Sequence, residues 1–245
     1  MISVAMLAHE DENQLPTTLD QARKVADELI IVDSYSEDAT AEIAADYGAE
    51  VYQTEWRGFA DTWQFAFDQT SGDWVLQLGS DEVLTNDAID RIREIDAEGG
   101  NYEGYKIYSI NYLLNREVSH WTRYAPRLFK RERGRISDDK VHESVQLDGE
   151  WGRIKEPLHH YTLDSISEHI LKLDEYTELG AEDFNEIPNL WDLYGNPLWV
   201  LVRLLLIDGL VLDGADGIYI SVMSAVDSFL TAHRARLRFE GVENY

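Results

Sequence analysis

Four short apolar runs, ISVAML (2–7), ELIIVD (28–33), AEVYQT (49–54) and DWVLQL (73–78), punctuate the first hundred residues. Their length and β-branched content predict buried strands, since a strand covered on both faces needs no polar alternation. Between them, LPTTLDQARKVAD, SEDATAEIAADYG and GFADTWQFAFDQTSG repeat apolar residues at helical spacing. Ser36 or Asp38 is placed to cap the second of these helices, and Gly48 and Gly72 to close the second and third. A βαβαβαβ run predicts a parallel, doubly wound sheet. Such sheets bind ligands beyond the C-terminal ends of their strands, where Asp33, Trp56 and the 79–82 loop fall.

From about residue 98 the pattern changes. NYEGYKIYSINYLL, APRLFKR and KVHESVQLDGE alternate like strands of a mixed or antiparallel extension, and SISEHILKLDEYTELGAEDF opens a helical region. The expected organisation is an α/β domain over 1–165, with a nucleotide-binding half (1–97) and an acceptor half (98–165), followed by a helical region over 166–245. In that region NPLWVLVRLLLIDGLVLDG is interrupted by Arg203 and Asp208 and is too short and charged to span a bilayer comfortably. It reads as a buried helical hairpin or, alternatively, as an interfacial helix docking at a membrane surface with Trp191, Trp199 and Arg203 near the boundary.

Composition narrows the chemistry. The net charge of −26 argues against nucleic-acid binding, because the phosphate backbone favours lysine and arginine. Lysine supplies only six of 21 basic residues, and the acidic excess is spread along the whole chain, as in proteins adapted to molar salt. There are no cysteines, which excludes disulfides and thiolate metal sites and leaves oxygen ligands and histidine. The opening MISVAMLAHEDE lacks the basic segment of a secretory signal, so a cytoplasmic location is expected, with peripheral attachment to the membrane's cytoplasmic face if the interfacial reading holds.

Two acidic positions carry candidate chemistry. Asp33 ends LIIVD, where a carboxylate can accept from a ribose hydroxyl or a base N–H, or serve only to end the strand or cap a helix. Asp81 and Glu82 come after the fourth strand in the same way. Carboxylates gathered at one sheet edge repel, and a divalent cation with a diphosphate is one reason to gather them; a solvated acidic loop is the other reading. In RYAPRLFKRERGRIS, Arg123, Arg127, Lys130, Arg131, Arg133 and Arg135 reverse the local charge of an acidic chain, which suits a phosphate or pairing with the chain's own carboxylates. LAHEDENQL after the first strand has neither glycine nor lysine, which disfavours a nucleotidyltransferase-type triphosphate cradle.

The ordered set VDSxSxDxTxEIAxxYGAxVxxxxWxGFA, SGDWVL and RLFxRxxGRxxDxxVHESV resembles family-2 glycosyltransferases, nearest to the subgroup of lipooligosaccharide-core β-1,4-glucosyltransferases. The resemblance implies a GT-A fold and inverting transfer of a sugar from a nucleotide-diphosphate donor to a hydroxyl of a glycan or lipid-linked glycan. It implies that Ala8, His9, Glu10 and Asp11 lie near base and ribose, that Asp33 holds one of them, and that Trp56, Gln64, Gly79, Ser80 and Arg127 belong to the donor side. Asp81 corresponds to the last aspartate of the family's Asp-x-Asp motif, the residue that binds Mg²⁺ or Mn²⁺, with His160 of EPLHHYT reaching the metal or diphosphate. In DDKVHESV, Glu143 is the first candidate for the base that deprotonates the acceptor and Asp139 the second, with His142 beside them.

Three departures fall on the donor side. His9-Glu10-Asp11 replaces a Lys-Asn-Glu-like turn, Trp63-Gln64 replaces a basic residue and asparagine, and Gly79-Ser80-Asp81-Glu82 replaces Asp-Ala-Asp-Glu. They imply a changed donor preference, a weaker metal site, or a catalytically silent protein that keeps the fold to bind a nucleotide or glycan.

Overall fold

The structure is a computed structural model and describes residues 1–137, 144–163 and 165–242. The four apolar runs form β1 (Ile2–Ala8), β2 (Glu28–Asp33), β3 (Glu50–Gln53) and β4 (Trp74–Gly79), all parallel, in the order β3-β2-β1-β4. Helices α1 (Leu15–Ala22), α2 (Thr40–Asp46) and α3 (Phe59–Asp68) connect them. The sheet then turns mixed, as the sequence predicts. Beyond β4 come β7 (Arg116–Lys130), β6 (Gly104–Leu113), β10 (Trp151–Leu163) and the short β5 (Glu82–Leu84), completing eight strands. β7 runs antiparallel to β4 and β5 antiparallel to β10. A separate ribbon pairs β8 (Gly134–Ile136) with β9 (Val145–Leu147).

Alternation along the strands divides the core. Val4 and Met6 of β1, with Leu76 and Leu78 of β4, pack with Leu15 and Leu19 of α1 and with α4 (Asn86–Glu98) through Ile89, Ile92 and Ile95. Ala5 and Val75 point the other way, into a cluster with Trp63 and Phe67 of α3, Phe129 and Val145. α4 forms because Thr85 accepts from the Ala88 N–H at its start and Gly99, at φ +80°, ends it. Burying Ile92 and Ile95 fully is worth about 1.5–3 kcal/mol each.

Two local expectations are corrected. Neither Ser36 nor Asp38 occupies the cap position of α2, which falls to Ala39; Asp38 accepts from the Thr40 N–H at 2.9 Å, while Ser36 turns toward Asp33. Gly72 does not close α3, which ends at Asp68 with Gln69 as its cap. It is required by close approach, since a Cβ there would meet Ser3 Oγ at 2.6 Å and Met1 O at 2.8 Å. Gly48 comes after α2 at φ +82°, a backbone conformation that glycine adopts without strain.

The chain divides into two compact units, 1–110 with 123–160, and 111–122 with 161 onward. The second holds α5 (Ile166–Glu182), α6 (Asn196–Val202) and α7 (Gly214–Phe239), with wide π-type turns at Trp191–Gly195 and Arg203–Ile207 on either side of α6 and a 3-10 turn at Leu210–Asp213. Its core gathers Leu113, Val118, Leu163, Leu204, Leu210 and Ile220. The expectation of a buried hairpin over 196–214 is corrected here. Leu204 and Leu210 point inward, but Leu198, Leu206, Ile207 and Leu212 are exposed. Among the described residues no helix is long and apolar enough to cross a membrane.

Candidate active site

The four parallel strands end level with one another. Register pairs Ala8 with Asp33, Asp33 with Gln53, and Leu7 with Gly79, so the loops beyond them share one edge of the sheet. Two of these loops are laced together. The Glu10 N–H donates to Ser36 Oγ (3.0 Å), Asp11 N–H to Thr40 Oγ1 (2.8 Å) and Glu12 N–H to Asp38 Oδ2 (3.1 Å). In return Glu37 N–H donates to Glu10 Oε1 (2.6 Å) and Ala39 N–H to Glu12 Oε2 (3.2 Å). Glu10 and Tyr35 both sit at φ +56°, a strained setting for non-glycine residues that tends to persist at functional edges.

Asp33 lies beneath this lacing at 0 % exposure. Its carboxylate accepts from the Ser36 N–H at 3.3 Å, from the Ser36 hydroxyl, and from Gln53 Nε2 at 2.9 Å. With those acceptor sites filled, it shapes the 34–40 loop, and direct contact with a nucleotide requires exchange of one of these partners.

The 79–82 loop is fixed by four contacts. Thr18 Oγ1 donates to the Ser80 carbonyl at 2.6 Å, and the Gly79 N–H donates to Glu82 Oε2 at 2.9 Å. Glu82, only 2 % exposed, pairs its other oxygen with an Arg127 Nη. Asp81 Oδ2 lies 3.2 Å from His160 Nε2, because the β5–β10 register sets His160 opposite Glu82. Gly79 leaves room for this: a Cβ there would stand 2.6 Å from Asp81 Oδ1. Among the described residues no three His, Asp or Glu side chains converge as a complete metal cage. Asp81 and His160 set one carboxylate and one imidazole side by side, with Glu82 turned away to Arg127.

The other sequence-predicted residues are distributed around this edge and beyond it. Ala8, His9, Glu10 and Asp11 end β1 and begin the laced loop, and the His9 N–H donates to Asp11 Oδ2 at 3.0 Å. Trp56 is exposed beyond β3, edge-on to Phe59 at 4.7 Å. Gln64 bridges α3 to the β8 ribbon, accepting from the Ile136 N–H at 3.2 Å and donating to Asp68 at 2.9 Å. Of the basic segment, Arg127 meets the 79–82 loop through Glu82. Lys130 and Arg131 reach the opposite end of β4, over the Trp74 ring and onto the Gly72 carbonyl, and Arg133 pairs with Asp148. Glu143, Asp139 and His142 lie outside the described residues; the flanking Ser137 and Ser144 bond each other, Ser137 N–H to the Ser144 carbonyl at 3.0 Å.

Sequence reasoning missed Thr18 and Gln53, neutral residues whose partners appear only when strands are ordered in space. The Glu82–Arg127 pair was equally hidden, although both residues stood out singly.

Comparison with known proteins agrees with this architecture. The family model "Glycosyl transferase family 2" matches residues 3–161. The lipopolysaccharide core biosynthesis glycosyltransferase LpsC of Rhizobium meliloti is 29% identical, over 94% of this chain and 90% of its own. An uncharacterized glycosyltransferase of Rickettsia conorii is 26% identical over 96% and 89%. Among solved structures, S. aureus TarS 1–349 in complex with UDP-GlcNAc superposes with a TM-score of 0.51 at 14% identity, covering 100% of this chain and 93% of that one. The sheet is that of a GT-A fold, with four parallel strands, a mixed extension and C-terminal helices. The chain belongs to glycosyl transferase family 2.

Proposed function

We propose that this glycosyltransferase is inverting and metal-dependent, and that it moves a sugar from a nucleoside-diphosphate donor to a hydroxyl of a glycan or lipid-linked glycan. The observation that carries the reading is the Asp81–His160 pair, held on a loop pinned by Thr18, Glu82 and Arg127 at the edge where four strands end. One carboxylate and one imidazole fit Mg²⁺ or Mn²⁺, ions commonly bound by one or two protein groups together with substrate phosphates. Such an ion, when bound, supplies positive charge to the departing diphosphate.

The chain's own residues do the rest. The laced loops at 8–12 and 34–40 receive base and ribose, with Asp33 setting their conformation, while Trp56, Gln64, Gly79 and Ser80 border the donor side. Glu143, or Asp139 in its place, takes the proton of the acceptor hydroxyl. The acceptor oxygen bonds to the sugar's anomeric carbon as the bond to the diphosphate oxygen breaks on the opposite face. In this reading residues 1–97 serve the donor and 98–165 the acceptor. The kinship with a lipopolysaccharide core glycosyltransferase supports a glycolipid acceptor, and that with a UDP-GlcNAc-binding fold makes UDP-sugars the first donors to try.

A panel of nucleotide sugars assayed for hydrolysis and transfer with Mn²⁺, at low and molar salt, tests this. The expected result is turnover with at least one donor that Asp81→Asn removes. No turnover with any donor, together with nucleotide binding indifferent to metal, would instead identify a silent nucleotide- or glycan-binding protein.

A further inference from the structure

The second unit carries a helix with an exposed apolar face, in a chain of net charge −26. From Leu190 to Ile207 the backbone is helical without a break, through the π-type turns on either side of α6. One stripe, Leu193, Pro197 and Leu204, is buried. The opposite stripe is apolar as well: Trp191 is 62 % exposed, Leu198 62 % and Leu206 68 %, each about two helical turns from the next. On α4 the exposed positions are mostly charged instead, such as Asp87, Asp90 and Glu94. A helix apolar on all sides is normally covered.

We infer that this outward face, centred on Trp191, Leu198 and Leu206, docks in the headgroup boundary of a lipid bilayer, with the helix lying along the surface. Three features select lipid over another protein copy. Trp191, Tyr194 and Trp199 are exposed together, and tryptophan and tyrosine are the residues that settle at a membrane boundary. The only basic residue of the helix, Arg203, is paired with Asp208 at 3.5 Å at its end, so the face offers no basic patch for a phosphate and its one cation enters the interface already neutralised. A second copy is itself a chain of net charge −26 and would be repelled, whereas a zwitterionic bilayer carries no net charge.

The binding is therefore driven by apolar insertion, and its salt dependence has the opposite sign from that of a basic anchor. Screening shortens from ~10 Å at 0.1 M to ~3 Å at 1 M, so salt removes the protein's repulsion from anionic lipid and leaves insertion intact. The inference deepens the proposed lipid-linked acceptor but is read without any transfer reaction. The full chain is floated with phosphatidylcholine vesicles, and with vesicles containing phosphatidylglycerol, at 0.1 M and 2 M salt. Expected are flotation with phosphatidylcholine at both salts, recovery on the anionic vesicles only at high salt, and at least a tenfold loss of bound protein in Leu198→Glu/Leu206→Glu. Circular dichroism and nucleotide binding of that variant check that it remains folded. Absence of flotation, equal flotation of the variant, or binding to anionic vesicles that salt abolishes would each overturn the inference. So would a concentration-dependent dimer in sedimentation that the same variant disperses, which would assign the face to a second copy.

Discussion

His160 Nε2 and Asp81 Oδ2 stand 3.2 Å apart, brought together from 79 residues away by the antiparallel pairing of β5 with β10. Neither residue depends on the other's local sequence, so each can be removed separately. Asp81→Asn keeps the shape and loses the charge, and is expected to abolish Mn²⁺-dependent stabilisation by a nucleoside diphosphate and to lower transfer by about 10²-fold or more. His160→Asn is expected to weaken Mn²⁺ affinity by roughly 10–100-fold, with a smaller effect at saturating metal. Thermal-shift titrations of Mn²⁺ at fixed nucleotide separate the two; metal affinity unchanged in both variants would remove the pair from the metal site.

Glu82 and Arg127 form a buried ion pair behind that loop, and its removal should be asymmetric. Arg127→Met leaves the Glu82 carboxylate, 2 % exposed, with the Gly79 N–H as its one remaining partner among the described residues, and is expected to cost about 3–5 kcal/mol. The double variant Glu82→Gln/Arg127→Met should recover part of that loss, because no unpaired charge remains. Denaturant unfolding of the four proteins measures the coupling. Additive losses would mean that the two side chains contribute independently.

Much of the donor half was legible because a parallel sheet covered on both faces writes its strands as plain apolar runs, and β1 to β4 fall within one or two residues of the runs read. The charged surface of α4 masked its apolar Ile89, Ile92 and Ile95, although Thr85 and Gly99 marked both ends. Asp33 was legible as a strand-end acid, but not as a buried one. Ser36 is a local partner three residues on, but Gln53 reaches its carboxylate only because strand order sets β3 beside β2. Glu82 failed for the same reason, its partner being 45 residues distant. In the C-terminal region, composition alone could not say which apolar stripe faces inward, since packing against other helices decides it.

In the second unit, Gly217 lets α7 approach the 3-10 turn closely. A Cβ on Gly217 of α7 would fall 1.8 Å from the Leu210 carbonyl oxygen, a backbone atom that cannot rotate aside. Gly217→Ala is therefore expected to destabilise by about 1–3 kcal/mol through overpacking, despite alanine's better helix propensity. Melting temperature reports it, as a fall of several degrees. Gly241→Ala, where the added Cβ meets nothing within 4 Å but φ is +73°, should lose less, by backbone strain alone just past the end of α7.

His169 gives the second unit a pH dependence. Its Nδ1 lies 2.9 Å from the Tyr219 hydroxyl, joining α5 to α7. Burial first, and then the Lys172 ammonium, hold its pKa below the ordinary 6.5, with Glu168 opposing them. The unfolded chain then binds the proton at a higher pH than the folded one, so stability rises with pH across this interval. The contribution is complete above about 6.5 and is lost as pH falls from there through the lowered folded value. His169→Gln, which retains a hydrogen-bonding group but does not titrate, should flatten that part of the curve. Melting temperatures of both proteins from pH 8 to pH 5 check this. The wild type is expected to lose more than the variant below about pH 6.5, and parallel curves would exclude His169 as the titrating group.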